Sequence, residues 1–198
     1  MRLRFAWLAV ALLAPAAAHA QHDGSPLPRA SLTPPPEASQ FDFLLGQWEL
    51  TVIPKVSTLA AKIHGAPKFI GSWKAWRAFD GWGIEDELRI LDRSGNPQSL
   101  NQSLRVYDPG ATQWSQTNLD VYRARYTASS AQWVNGEMRV TTKGQDQEGK
   151  PTLSRTRFYA ISASAFRFVT DRSHDDGKTW DEAVLRIEAK RVSATAAR

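Results

Sequence analysis

From Trp48 onward the chain alternates hydrophobic and polar residues with a period of two, the repeat of an extended strand whose side chains point to opposite faces in turn. Trp48–Pro54 (WELTVIP) is the first such run and Phe69–Phe79 (FIGSWKAWRAF) the second. Gly83–Leu91 sets Ile84, Asp86, Leu88 and Ile90 against Glu85, Glu87 and Arg89. Leu100–Tyr107, Gln113–Leu119, Tyr122–Ala128, Gly136–Lys143, Leu153–Ile161, Ala165–Asp171 and Asp181–Lys190 continue the series. Turn-forming residues separate the runs, among them Asp80-Gly81, Ser94-Gly95-Asn96-Pro97, Asp108-Pro109-Gly110, Asn135-Gly136, Glu148-Gly149 and Asp176-Gly177. Residues 55–68 read as a loop, with one helical turn expected near Thr58–Lys62. No segment holds a helical period over three turns. About ten short strands with turns at intervals of roughly 8–12 residues predict an all-β sandwich or barrel. Consecutive hairpins without long crossovers narrow this to a single antiparallel up-and-down barrel of about ten strands, because closure removes exposed edges. A barrel of that size has room for a ligand.

Residues 1–20 follow another logic. Arg2 and Arg4 precede an apolar run from Phe5 to Ala14, and Ala18-His19-Ala20 offers the small residues that signal peptidase accepts. The run is about half of the ~20 residues that span a bilayer as a helix. A secretory signal peptide cut after Ala20 is therefore expected, with no membrane anchor in the mature form and a periplasmic or secreted location. Residues 21–40 hold five of the eleven prolines and no aromatic residue, the composition of a flexible linker. The barrel domain is expected over 41–191 and a disordered tail over 192–198. The chain has no cysteine, which excludes disulfides, lipid attachment at a cleavage-site cysteine and thiolate-held metals. Lys and Arg number 25 against 20 Asp and Glu; losing Arg2 and Arg4 leaves 23 against 20, a mild +3. The basic residues are scattered rather than clustered, so no nucleic-acid partner is expected.

Phe41-Asp42-Phe43-Leu44-Leu45-Gly46-Gln47-Trp48 resembles the opening segment of a lipocalin-like (calycin) barrel. In that family a short 3₁₀ turn precedes Gly-x-Trp, the Trp plugs the closed end, and an Arg of the final strand packs across it. The resemblance implies a structural role for Gly46 and Trp48 and matches Arg186 to the stacking arginine, a cation–π contact. It is closer to uncharacterised bacterial families of secreted barrels that open with FDFxxGxW, carry a YD…W segment and end with DGGKTW. Tyr107-Asp108 with Trp114, and Asp175-Asp176-Gly177-Lys178-Thr179-Trp180, are the matching segments here. Ser173–Trp180 also fits the Asp-box Ser-x-Asp-x-Gly-x-x-Trp. A single copy reads as a hairpin staple of Asp175, Gly177 and Trp180 rather than a propeller blade.

Candidate chemistry is sparse. Glu85 and Glu87 share one strand face about 7 Å apart, a spacing open to acid–base work inside a pocket. The apolar face of Ile84, Leu88 and Ile90 would ordinarily turn them outward. Arg77 is in phase with Phe69, Trp73 and Phe79, Arg105 shares a face with Tyr107, and Arg157 shares one with Arg155 and Tyr159. Inward arginines would hold a carboxylate or phosphate by bidentate hydrogen bonds. Trp73, Arg77, Glu87, Arg105 and Arg157 are therefore the candidate ligand-binding residues. Of the histidines beyond the linker, His64 falls in the long loop and His174 in a hairpin, and no pair has metal-ligand spacing. No metal site, cofactor or catalytic constellation is expected. The leading reading is an exported barrel that binds a small hydrophobic, amphipathic or anionic molecule, of unknown oligomeric state. A filled barrel serving protein interaction and an enzyme using Glu85 or Glu87 are the alternatives.

Overall fold

The computed structural model describes residues 33–56, 67–146 and 148–192. The expected signal peptide, most of the linker, the helical turn near Thr58–Lys62 and the last six residues lie outside them. Ten strands form the body: β1 (Gly46–Pro54), β2 (Phe69–Ala78), β3 (Gly83–Leu91), β4 (Pro97–Asp108), β5 (Gln113–Asp120), β6 (Arg125–Val134), β7 (Glu137–Gln145), β8 (Pro151–Tyr159), β9 (Ala165–Ser173) and β10 (Asp181–Arg191). Each pairs antiparallel with its sequence neighbour, and β10 pairs with β1 to close the barrel. The strands follow the period-two runs, with one exception. Tyr122 sits in a 3₁₀ turn, Val121–Arg123, where the Asp120 carboxylate accepts the Arg123 N–H at 3.2 Å and Ala124 turns left-handed; β6 begins only at Arg125. An aspartate cap at the turn overrides the alternation that continues through it.

One end of the barrel is plugged by the segment that precedes β1. Two 3₁₀ turns, Pro36–Ser39 and Asp42–Leu44, bury Ala38, Phe41 and Leu44 against the core. The Pro-rich linker therefore ends sooner than residue 40. Ala38 is core, and Gln40 Oε1 accepts the Trp114 Nε1–H at 3.1 Å. Phe41 meets Trp114 edge-on at 4.8 Å, and Trp48 donates its Nε1–H to the Leu44 carbonyl at 2.8 Å.

The arginine over Trp48 is Arg191, not Arg186: its guanidinium lies 4.1 Å from the ring centroid. Antiparallel pairing places the end of β10 beside the start of β1, so Trp48 faces Arg191 while Arg186 faces Ile53. Arg191 also donates to the carbonyls of Ala163 (2.6 Å) and Leu45 (2.7 Å). Gly46 makes room for it. At φ +105 the backbone suits glycine, and a Cβ would stand 2.6 Å from Arg191 Nη1.

Candidate functional site

The barrel interior changes character along its axis. Beside the plug it is aromatic, with Trp48, Trp114 and Phe166 fully buried. Midway, β3 turns Asp86 inward with no exposure, and β4 turns Arg105 inward beside it. Arg105 donates from Nε to Asp86 Oδ2 at 2.5 Å and from Nη2 to Oδ1 at 3.2 Å, while Trp73 donates its Nε1–H to Oδ1 at 2.7 Å. The third arm, Nη1, donates to Gln116 Oε1 of β5, and the guanidinium lies 4.9 Å from the Phe41 centroid. The pair is neutral as a unit, and its hydrogen bonds offset much of the large desolvation penalty.

A guanidinium only donates, so it fixes which end of the Gln116 amide faces it. The other end, Nε2, is buried and has no hydrogen-bond partner among the described residues.

Toward the far end β4–β7 contribute a chain of neutral polar groups. Ser103 Oγ donates to Asn118 Oδ1 (2.8 Å), Asn118 Nδ2 to Ser129 Oγ (3.3 Å), and Ser129 and Thr142 share a bond of 2.8 Å. Leu88, Phe158 and Phe168 form the opposing wall, the two rings meeting edge-on at 5.0 Å. These two walls and the Asp86–Arg105–Gln116 group bound a cavity of about 160 Å³.

Of the candidate residues, Trp73 and Arg105 line this cavity. Arg77, Glu87 and Arg157 do not. Arg77 is in phase with Trp73, but it meets the plug: its Nη1 donates to the Ala38 carbonyl at 2.8 Å and its Nη2 to Asp42. Burial holds the Asp42 pKa above its ordinary value, against the pull of Arg77. Glu87 lies on the outer face 3.6 Å from Arg89, and Glu85 accepts the Trp76 Nε1–H at 2.8 Å, also outside. The inward carboxylate is Asp86, whose place on the Ile84–Leu88 face was visible in the alternation. Arg157 is on the outer face of β8, 3.5 Å from Glu137. Gln116 carries no mark in the sequence beyond its alternation with Trp114 and Asn118.

At the end away from the plug, the β9–β10 hairpin is tied by Asp175. Its carboxylate accepts the Thr179 N–H (2.8 Å), the Thr179 hydroxyl (2.6 Å) and the Ser173 hydroxyl (2.7 Å). The Thr179 hydroxyl bond leads the interactions that lower its pKa to about 2. Gly177 takes φ +89, and Trp180 donates to its carbonyl at 3.0 Å. His174 lies 3.7 Å from Asp146 in the same region, and His64 falls outside the described residues.

A closed ten-stranded antiparallel meander with a plugged end and a partly polar interior is a lipocalin-like (calycin-like) barrel. Among solved structures, the S-type phycobiliprotein lyase of Guillardia theta superposes with a TM-score of 0.53 over 79% of this chain and 92% of that one, at 8% identity. At that identity the likeness concerns the fold alone. No protein-family description and no curated protein matches the sequence.

Proposed function

We propose that the protein is an exported carrier or sensor of a compact, neutral small molecule held inside the barrel. The observation that carries this reading is the unpartnered Gln116 Nε2, a buried donor beside a cavity, where an acceptor oxygen would complete its bonding. A buried amide left unsatisfied costs about 1–3 kcal/mol, so a bound acceptor gains that much orientation-specific stabilisation. Because Asp86 already neutralises Arg105, a second anion would meet no free charge there, which favours a neutral ligand over an anionic one. The volume of about 160 Å³ is close to that of an engineered cavity of about 150 Å³ that takes benzene. One wall of Phe158 and Phe168 and one of Ser, Asn and Thr suit a flat body with a polar edge. The apolar run of residues 1–20 supports export, and the FDFLLGQW and DDGKTW segments support kinship with secreted barrels of the same kind.

Native mass spectrometry of the purified protein, compared with a denatured aliquot, tests the reading. A retained small molecule is expected, and it should be lost in Val140→Phe, which puts a bulky ring into the cavity from β7, where Val140 is part of the lining. An unliganded mass, with no thermal shift across a panel of small neutral aromatics bearing a carbonyl or hydroxyl, would refute it.

A further inference from the structure

A depression of about 1000 Å³ lies outside the barrel, on the outer face of β7–β10 and the end of β1. One transverse row crosses it. Arg139 of β7 pairs with Arg157 of β8, Arg157 with Val169 of β9, Val169 with Arg186 of β10, and Arg186 with Ile53 of β1. Three of these in-register positions are arginines, and two of them sit directly opposite each other, where like charges destabilise a sheet. With neighbouring strands about 4.8 Å apart, the row from Arg139 to Arg186 spans about 14 Å.

The surrounding carboxylates, Asp171, Glu182, Asp181 and Glu137, offset the five cations of the depression only in part, leaving one in excess. Lys55, Arg139, Arg155, Arg157 and Arg186 line the depression against only Asp171 and Glu182. Four of these cations have a carboxylate partner: Lys55 is 2.5 Å from Asp181, and Arg155 is 2.8 Å from Asp171 with Trp180 stacked at 4.2 Å. Glu137 alone serves both Arg139 and Arg157, at 3.5 Å from each. The Arg186 side chain has no hydrogen bond, ion pair or ring contact among the described residues.

The concavity has a structural cause. β10 is irregular between Asp181 and Leu185, where Ala183 adopts a left-handed φ of 53 and donates its N–H to Asp171 Oδ1 at 2.8 Å. Such bulges bend a strand and are frequent beside binding sites. A non-glycine residue in this conformation persists only where its surroundings hold it. Val169 forms the floor, 7% exposed although it faces away from the barrel interior.

We propose that this groove binds a small molecule carrying two oxyanion groups, phosphate or carboxylate, one held by Arg139 and Arg157 and the other by Arg186. Guanidinium forks match either group bidentately. Tyr159, whose ring stands 5.4 Å from the Arg157 guanidinium, provides an apolar flank for the body between them. The groove lies on the opposite side of the sheet from the barrel cavity, so its occupancy is independent of the ligand inside.

Isothermal titration calorimetry of the purified protein at low salt, with inorganic tripolyphosphate and with citrate, is the test. One-to-one binding of at least one anion is expected, weakened tenfold or more by Arg157→Gln and by Arg186→Gln and unchanged by Arg93→Gln in the turn after β3. Arg186→Gln should keep the wild-type melting temperature, since that side chain has no partner to lose. Tighter binding of tripolyphosphate would assign a phosphate ligand, and tighter binding of citrate a carboxylate. No heat with either anion at millimolar concentration overturns the proposal. Equal weakening by Arg93→Gln and Arg186→Gln, the signature of net charge alone, overturns it as well.

Discussion

Asp86 and Arg105 show how much one residue's surroundings decide. Both are buried, and each carries a full charge that only the other neutralises. Removing one partner leaves a stranded charge, so Asp86→Ala should lower stability by about 3–5 kcal/mol, whereas replacing the pair with apolar residues of similar volume is often close to neutral. Urea denaturation of Asp86→Ala, Arg105→Met and the Asp86→Leu/Arg105→Met double variant checks this; a double variant as unstable as the singles combined would contradict the account. The half-exposed pair of Arg77 and Asp42 is expected to matter far less as an ion pair, within about 1 kcal/mol. The sequence distinguishes these two arginines poorly. Arg77 and Arg105 each lie in phase with aromatic neighbours, and phase tells the face but not the partners. Their partners separate them: both belong to one transverse row through Ile84, but Arg105 meets Asp86 and Gln116 inside the barrel and Arg77 meets Ala38 and Asp42 of the plug. The stacking arginine is a different case: the resemblance implied Arg186, but Arg186 shares the outer face with Glu188 and Lys190, whereas Arg191 is in phase with the inward Ile187 and Ala189 and the β1–β10 register puts it over Trp48.

Among the elements, the strands were legible because alternation and turn chemistry agree at nearly every hairpin. The plug was legible only in part: the resemblance implied the 3₁₀ turn before Gly46-Gln47-Trp48, but Pro34, Pro35 and Pro36 dominate the stretch ahead of it, and the burial of Ala38, Phe41 and Leu44 rests on 3₁₀ turns too short to show a period. Phe41 packs between Trp114, Phe158 and the Arg105 guanidinium, so Phe41→Ala should cost about 3–5 kcal/mol and open the aromatic end of the barrel. A denaturation midpoint near wild type would mean that the plug is not part of the cooperative unit. The β9–β10 hairpin makes a different prediction, one that depends on pH. The Asp175 pKa is lowered from 3.8 to about 2, so its hydrogen bonds stabilise the fold above the unfolded value and lose that effect as pH falls through the folded one. The melting temperature of Asp175→Asn should therefore lie below wild type at pH 5 to 7, with the gap narrowing between pH 3.8 and about 2. A gap constant down to pH 2 would show that the carboxylate charge is not what ties the hairpin.

For the whole molecule, the topology separates local from distant contacts sharply. Nine strand pairs join sequence neighbours, and a single seam, β1 with β10, closes the barrel. That seam is held at one end by Arg191, which reaches the Leu45 carbonyl across 146 residues of chain. Hairpins form on the microsecond scale from short loops, whereas the seam must wait until the intervening strands have ordered the chain. The entropy of closing a loop grows only with the logarithm of its length, so once the meander is formed the final closure adds little further barrier. Closure is thus expected after the rate-limiting step. Arg191→Ala removes the stack on Trp48 and the carbonyl bonds at Ala163 and Leu45, and its loss of stability should appear almost wholly as faster unfolding. Met138→Ala, within the β6–β8 meander, should instead slow folding by a substantial part of its effect. Stopped-flow chevrons of the two variants decide the matter, provided each destabilises by more than about 0.6 kcal/mol so that the ratio is defined. If Arg191→Ala slows refolding in proportion to its loss of stability, the barrel closes early, and the seam rather than the hairpins organises its folding.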